Sequence, residues 1–192
     1  MRRSAQAQSL CYGPVKDPVA VFPSDVEFEK LHLLYVSIDR TLELDVDALR
    51  RVDDSVSQWS AEQHLAHLAL ANELSFQNVK SLLAGKGRLI QPEGEPVPAA
   101  REVLAAGVMP RGAQAPRMVQ PPREVQRDYL LEWLAGNRAD IDQLEPQTAA
   151  IARTPGRIPH QLMGPLSASN WVRFAAMHTE HHLAILNAVL GA

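Results

Sequence analysis

Trp171-Val172-Arg173-Phe174-Ala175-Ala176-Met177-His178-Thr179-Glu180-His181-His182-Leu183-Ala184-Ile185-Leu186-Asn187-Ala188-Val189 is the stretch whose reading decides the fold. Within it Trp171, Ala175, His178, His182, Ile185 and Val189 recur at steps of four, three, four, three and four. That is a heptad seam, the inward stripe of a helix packed against other helices. Two histidines lie on the stripe itself, where a charged imidazole is costly and each ring nitrogen needs a partner. Gly164-Pro165 precedes the segment, and Ser167 or Ser169 is the expected cap of this fourth helix.

Three further helices read out from there. The first begins at Ser24, where Ser24 and Glu27 have capping-box spacing, and Phe28, Leu31, Tyr35, Ile38 and Leu42 trace its buried stripe. Asp45 to Val52 reads as a short piece leading to a turn. The second helix runs from Ser60, with Gln63 at capping-box spacing, to about Ala84, before Gly85 and Gly87. Its inward residues are Leu65, Leu68, Ser75, Phe76, Val79 and Leu82. The third follows Pro121-Pro122 and ends at Pro146, with Tyr129, Leu130, Trp133, Leu134, Ile141 and Leu144 facing inward. No segment alternates as a strand does.

Residues 88–120 hold Pro92, Pro96, Pro98, Pro110 and Pro116, a long connection for a compact domain. The second helix is roughly 35 Å long, and a chain extending about 3.3 Å per residue recrosses that length in a dozen or so residues. The reading is an all-α crossover bundle with helices two and three parallel, Ala99 to Ala106 adding a helical turn within the connection. Residues 1–22 read as an irregular arm, and 23–192 as the bundle.

Composition narrows the function classes. The net charge of -3 and the lack of a basic run set nucleic acid and anionic membranes aside as partners. Cys11 is the single cysteine, so no disulfide forms within the chain. No run approaches the ~20 apolar residues of a membrane span, and Met1-Arg2-Arg3-Ser4 has no apolar block behind it. The expected location is cytoplasmic.

His178 and His182, four apart, point the same way from one helix and can hold one ion between them. Two readings stand side by side: a metal pair, or core histidines whose nitrogens find protein partners. The second helix offers His64 and His67 in Trp59-Ser60-Ala61-Glu62-Gln63-His64-Leu65-Ala66-His67-Leu68. His67 borders the Leu68 stripe, while His64 reads as a half-exposed edge residue.

These motifs resemble the DinB/YfiT-like superfamily of metalloenzymes. Its members typically open helix two with Trp-Ser or Trp-Thr, place a metal-binding His eight residues after the Trp, and carry H-x-x-x-H on the last helix. Trp59-Ser60, His67, and His178 with His182 match that pattern, with His181 in the doubled-His position. Gly164 to Ser167, on through Trp171 to His182, is similar to one branch of it. The resemblance implies an up-down-down-up four-helix bundle and a three-histidine site, His67, His178 and His182. That site takes a divalent transition metal, zinc or nickel before iron. It further implies a small-molecule substrate, either a low-molecular-weight thiol in a transferase reaction or the substrate of a hydrolase, and allows a homodimer. A non-enzymatic or stress-related bundle with a structural metal is the alternative.

The metal of an open three-histidine site lowers the pKa of bound water or activates a thiolate. A carboxylate-bearing thiol needs a cationic partner, for which Arg88, Arg101, Arg111 and Arg117 are the candidates. No general base is evident: Glu180 should face away from His178, and Glu62 and Glu73 lie off the His67 face. Asn137 reads as a bundle-edge residue and His160 as an exposed loop residue that can reach over the metal.

Overall fold

The computed structural model describes residues 22–191. The expected arm over residues 1–22, apart from Phe22, lies outside them, as does Cys11. The described chain is mostly helical. Its order is α1 (Ser24–Leu42), α2 (Val46–Leu49), α3 (Ala61–Ala84), α4 (Pro98–Ala106), α5 (Arg127–Leu144), α6 (Thr148–Arg153), strands β1 (Ile158–His160) and β2 (Gly164–Leu166), and α7 (Ala168–Leu190). None of these helices is long and apolar enough to cross a membrane.

α7 is the axis. It packs on α1 and α3, while α5 closes against α3 and α1. Its stripe is wider than a heptad seam: Val172, Phe174, Ala176, Met177 and Thr179 are buried together with Trp171, Ala175 and His178. Phe28, Leu31 and Ile38 of α1, Leu65, Leu68 and Phe76 of α3, and Leu130, Leu134 and Ile141 of α5 join it in one cluster. Burial of this apolar surface is the main force holding the helices together.

Local chemistry sets the helix ends. Ser60 and Gln63 form the reciprocal capping box that opens α3, and the Gln63 side chain also donates to the carbonyls of Pro122 and Arg123 ahead of α5. Gly85 ends α3 with φ 61°, its N–H on Leu82 O and that of Lys86 on Ser81 O, the left-handed stop that glycine allows without a Cβ clash. Ser167, not Ser169, caps α7 by accepting from Asn170 N–H.

Several expectations change. The Ser24–Glu27 capping box does not form: Pro23 precedes the helix, and Glu27, only 3% exposed, pairs instead with Arg173 of α7. Arg173 also donates to Leu104 O at 3.0 Å and lies 4.5 Å over the Phe22 ring. Tyr129 is 54% exposed rather than inward, because it lies one residue off the buried stripe of Leu130, Leu134, Asn137 and Ile141. The third long helix does end ahead of Pro146, at Leu144, but Pro146 sits in an unexpected 3-10 turn, Glu145–Gln147, leading directly into the further helix α6.

The chain also contains strands. β1 and β2 form an antiparallel hairpin pairing Ile158 with Leu166 and His160 with Gly164. Three-residue strands with Pro159 opposite Pro165 are too short to show alternation and accept proline only as edges.

The connection from α3 to α5 is tied down at several points. Gln91 bridges to Arg157, Val97 N–H donates to Met163 O, and α4, which fills the expected Ala99–Ala106 turn, gives its Leu104 carbonyl to Arg173. At Gly107, φ +69°, a Cβ would come within 2.7 Å of the Arg173 guanidinium, so the close approach of α4 to α7 requires glycine. Substituting Glu27→Gln removes one partner of this buried ion pair and leaves Arg173 uncompensated. The expected loss is about 3–5 kcal/mol, read as a lower urea midpoint with an unchanged m-value.

Candidate metal centre

α3 and α7 bring His67, His178 and His182 together. One ring nitrogen from each lies within 4.8 Å of the others. His67 and His178 are 3% and 6% exposed, and His182 is partly buried beside them. His67 Nε2 and His178 Nε2 are 3.2 Å apart, and the three rings lie 4.5–5.0 Å centroid to centroid.

Hydrogen bonds decide which nitrogens are free. Val119 O accepts from His67 Nδ1–H at 2.6 Å, which leaves the His67 Nε2 lone pair aimed at the cluster. His182 Nδ1 lies 3.1 Å from His64 Nδ1, and His64 Nε2 lies 2.9 Å from Ser57 Oγ. With His182 Nδ1–H donating to His64 and His64 Nε2–H donating to Ser57, His182 keeps Nε2 for the cluster. A single shared proton satisfies one pair of rings; a divalent ion uses the lone pairs of all three. His178 Nδ1 is buried without a partner. The donor set, three neutral imidazoles on two rigid helices, fits a transition metal with open coordination positions.

Burial keeps these rings uncharged. Desolvation, reinforced by the neighbouring histidines, pushes His178 and His182 well below the ordinary histidine range. Desolvation also lowers His67, against the Val119 hydrogen bond, and takes His64 down to about 4, with neighbouring His67 adding to the effect. Neutral imidazole is the form that binds a metal.

The cluster opens into a pocket of about 640 Å³, within the usual range for a small-molecule site. Trp59, Trp171 and Phe174 supply apolar wall; Trp59 lies 5.0 Å from the His67 ring and Phe174 stacks on His178 at 5.1 Å.

A family model described as the DinB superfamily matches residues 37–186. The chain belongs to the DinB superfamily. No match was found among curated proteins or among solved structures.

Within this DinB-superfamily chain the remaining candidates sort by position. Glu180 points away, as expected, and pairs with Lys30. Arg111 lines the pocket; Arg88, Arg101 and Arg117 do not. Asn137 is neither at the mouth nor at the edge: it is buried and donates to Ala69 O at 2.9 Å, tying α5 to α3. Two histidines are corrected. His64 is buried, not half-exposed, because its ring fills the gap between Trp59 and His182. His160 is not an exposed loop residue; it sits on β1 against Phe174 and Trp171 and lines the pocket. The three-residue step from His64 to His67 places both on one face of α3, a spacing that the edge reading of His64 did not use. The hairpin that positions His160 left no such signal.

One feature was missed from sequence. Beneath the cluster Asn72 Nδ2 donates to the Tyr35 hydroxyl at 3.1 Å and to Thr179 Oγ1 at 3.0 Å, joining α1, α3 and α7 through a buried polar node. Burial pushes the Tyr35 phenol up to about 12.

Two predictions follow from this geometry. Desolvation takes His160 as well as His64 down to about 4 from 6.5. The unfolded chain therefore takes up protons below pH 6.5 that the native chain refuses. The metal-free protein should hold these contributions in full above pH 6.5 and lose them as pH falls towards about 4. Thermal melts across that window check the sign. Replacing His64→Phe keeps an aromatic ring but removes the acceptor for His182, and metal affinity should drop about 10–100-fold in a competition titration with a chromophoric chelator.

Proposed function

We propose that this chain is a metal-dependent enzyme in which His67, His178 and His182 hold one divalent transition ion, zinc or nickel before iron. The observation that carries the reading is the convergence of three uncharged imidazole nitrogens at the floor of an open pocket. A structural site closes its coordination shell with protein, whereas a catalytic one keeps a position open. The reaction is a thiol-dependent transfer or a hydrolysis on a small molecule in the cytoplasm, with neither nucleic acid nor membrane as partner.

When bound, the ion supplies Lewis acidity to a thiol or a water. The chain's own residues do the rest. Val119 O and His64 hold the rings of His67 and His182 in their ligating tautomers, and Trp59, Trp171 and Phe174 exclude water from the floor. Among the described residues no Asp or Glu lines the pocket, and no carboxylate base is assigned.

On this reading the four long helices run up, down, down and up, with a crossover between α3 and α5. Glu27–Arg173 and Lys30–Glu180 advance together along α1 and α7, while His64–His182 and His67–His178 run in opposite order along α3 and α7. Arg127 reaching Leu42 O and Glu145 reaching His32 run oppositely along α5 and α1.

Elemental mass spectrometry on untagged protein tests the site. Near one equivalent of a transition metal is expected in the wild type. His67→Ala and His178→Ala should each lose it while keeping the helical circular dichroism. A wild type that takes up neither zinc nor nickel would return these residues to plain core histidines. Metal removal that melts the fold would favour a structural ion, whereas an open site should lose metal with little unfolding.

A further inference from the structure

The pocket has an unusual charge inventory. Among the described residues no Asp, Glu or Lys lines it, and Arg111 is its one side chain of permanent charge. Among the described residues Arg111 makes no ion pair. It is carried at the rim by the segment between Gly107 and the 3-10 turn Arg117–Val119.

His160 adds a directed donor. The backbone N–H groups of Leu162 and Met163 both donate to its Nδ1 at 3.2 Å. That nitrogen is therefore the acceptor of the ring, and the proton of the neutral imidazole sits on Nε2. A second proton on Nδ1 would face two N–H groups. The ring is held against Phe174 at 4.6 Å and Trp171 at 5.4 Å, and its Nε2 has no partner among the described residues. The hairpin turn thus fixes a neutral N–H donor in a pocket whose described lining offers no carboxylate to use it.

We propose that the pocket selects small organic anions, Arg111 supplying the charge and His160 Nε2–H a hydrogen bond to the substrate's carboxylate or other oxyanion. An anion entering between the aromatic walls meets no like charge among the described lining residues, and charge-assisted hydrogen bonds are the strong ones. A cationic substrate meets the like charge of Arg111 and finds no carboxylate partner among the described lining residues. The inference rests on reading this pocket as a substrate site, though not on the identity of the ion.

3-Mercaptopropionate and cysteamine are matched probes, thiols of similar length with opposite charge at the far end. Isothermal titration of zinc-loaded protein should give a Kd about ten-fold or more lower for 3-mercaptopropionate. Arg111→Gln and His160→Phe should each erode that preference, with cysteamine affinity unchanged or improved. His160→Gln, which returns an N–H donor near the Nε2 position, should recover part of it. Equal affinities in the wild type would overturn the proposal, as would a preference that survives the Arg111→Gln, His160→Phe double variant. Arg111 is exposed, so its single variant decides the matter if His160→Phe fails to fold. Failure to take up zinc would count against the metal reading alone. The same two probes, followed by tryptophan fluorescence on metal-free protein, would still reveal or refute the anion preference.

Discussion

Everything in this structure turns on burying imidazoles that cannot be charged. α7 is packed on nearly every side through its first half, and it carries His178 and His182 on the face turned to α3. In such a place protonation is expensive and an unpaired nitrogen is expensive as well. Each ring nitrogen therefore has to be accounted for, and the accounting draws in residues from far along the chain. Val119 O takes one proton, His64 and Ser57 take another in series, and the remaining lone pairs face one another. A site of this kind comes from polar groups having few ways to be satisfied inside a helical core.

The connection between α3 and α5 acquires its role from the same constraint. A connection this long without anchors would add entropy cost and little else. Here it supplies the Val119 carbonyl that orients His67, the Leu104 carbonyl that holds Arg173, and the rim that carries Arg111. Arg173 in turn sits in a buried pair with Glu27, so α1, α4 and α7 share one electrostatic tie close to the N-terminal end of α7. Such a pair adds little net stability over an apolar substitute, but it penalises any arrangement that separates its members.

A second polar node, Asn72 with Tyr35 and Thr179, lies next to the histidines and joins α1, α3 and α7. Asn137 adds a bond from α5 to the backbone of α3. These contacts set the register of the helices more narrowly than Leu and Ala packing does, because a hydrogen bond lapses after a shift that an apolar contact tolerates. Three histidines from two helices need that registration to converge on one point.

The long helices, their apolar stripes and the candidate ligands were legible in the residue order. Periodicity encodes which side of a helix is buried, and His178 and His182 stand on the α7 stripe whatever that helix packs against. Ser60 with Gln63, and Gly85, mark the ends of α3 through contacts only a few residues apart, so local chemistry suffices for them. The burial of His64, the hairpin that brings His160 to the pocket, the Glu27–Arg173 pair and the choice of Arg111 over the other loop arginines were settled by tertiary structure alone. Each of these joins positions dozens of residues apart, and periodicity carries no information about which distant group a side chain will meet. The residues by themselves determined a helical chain of the DinB superfamily with histidines at helical spacing. Packing decided which nitrogens are free, because that depends on where the other polar groups come to rest.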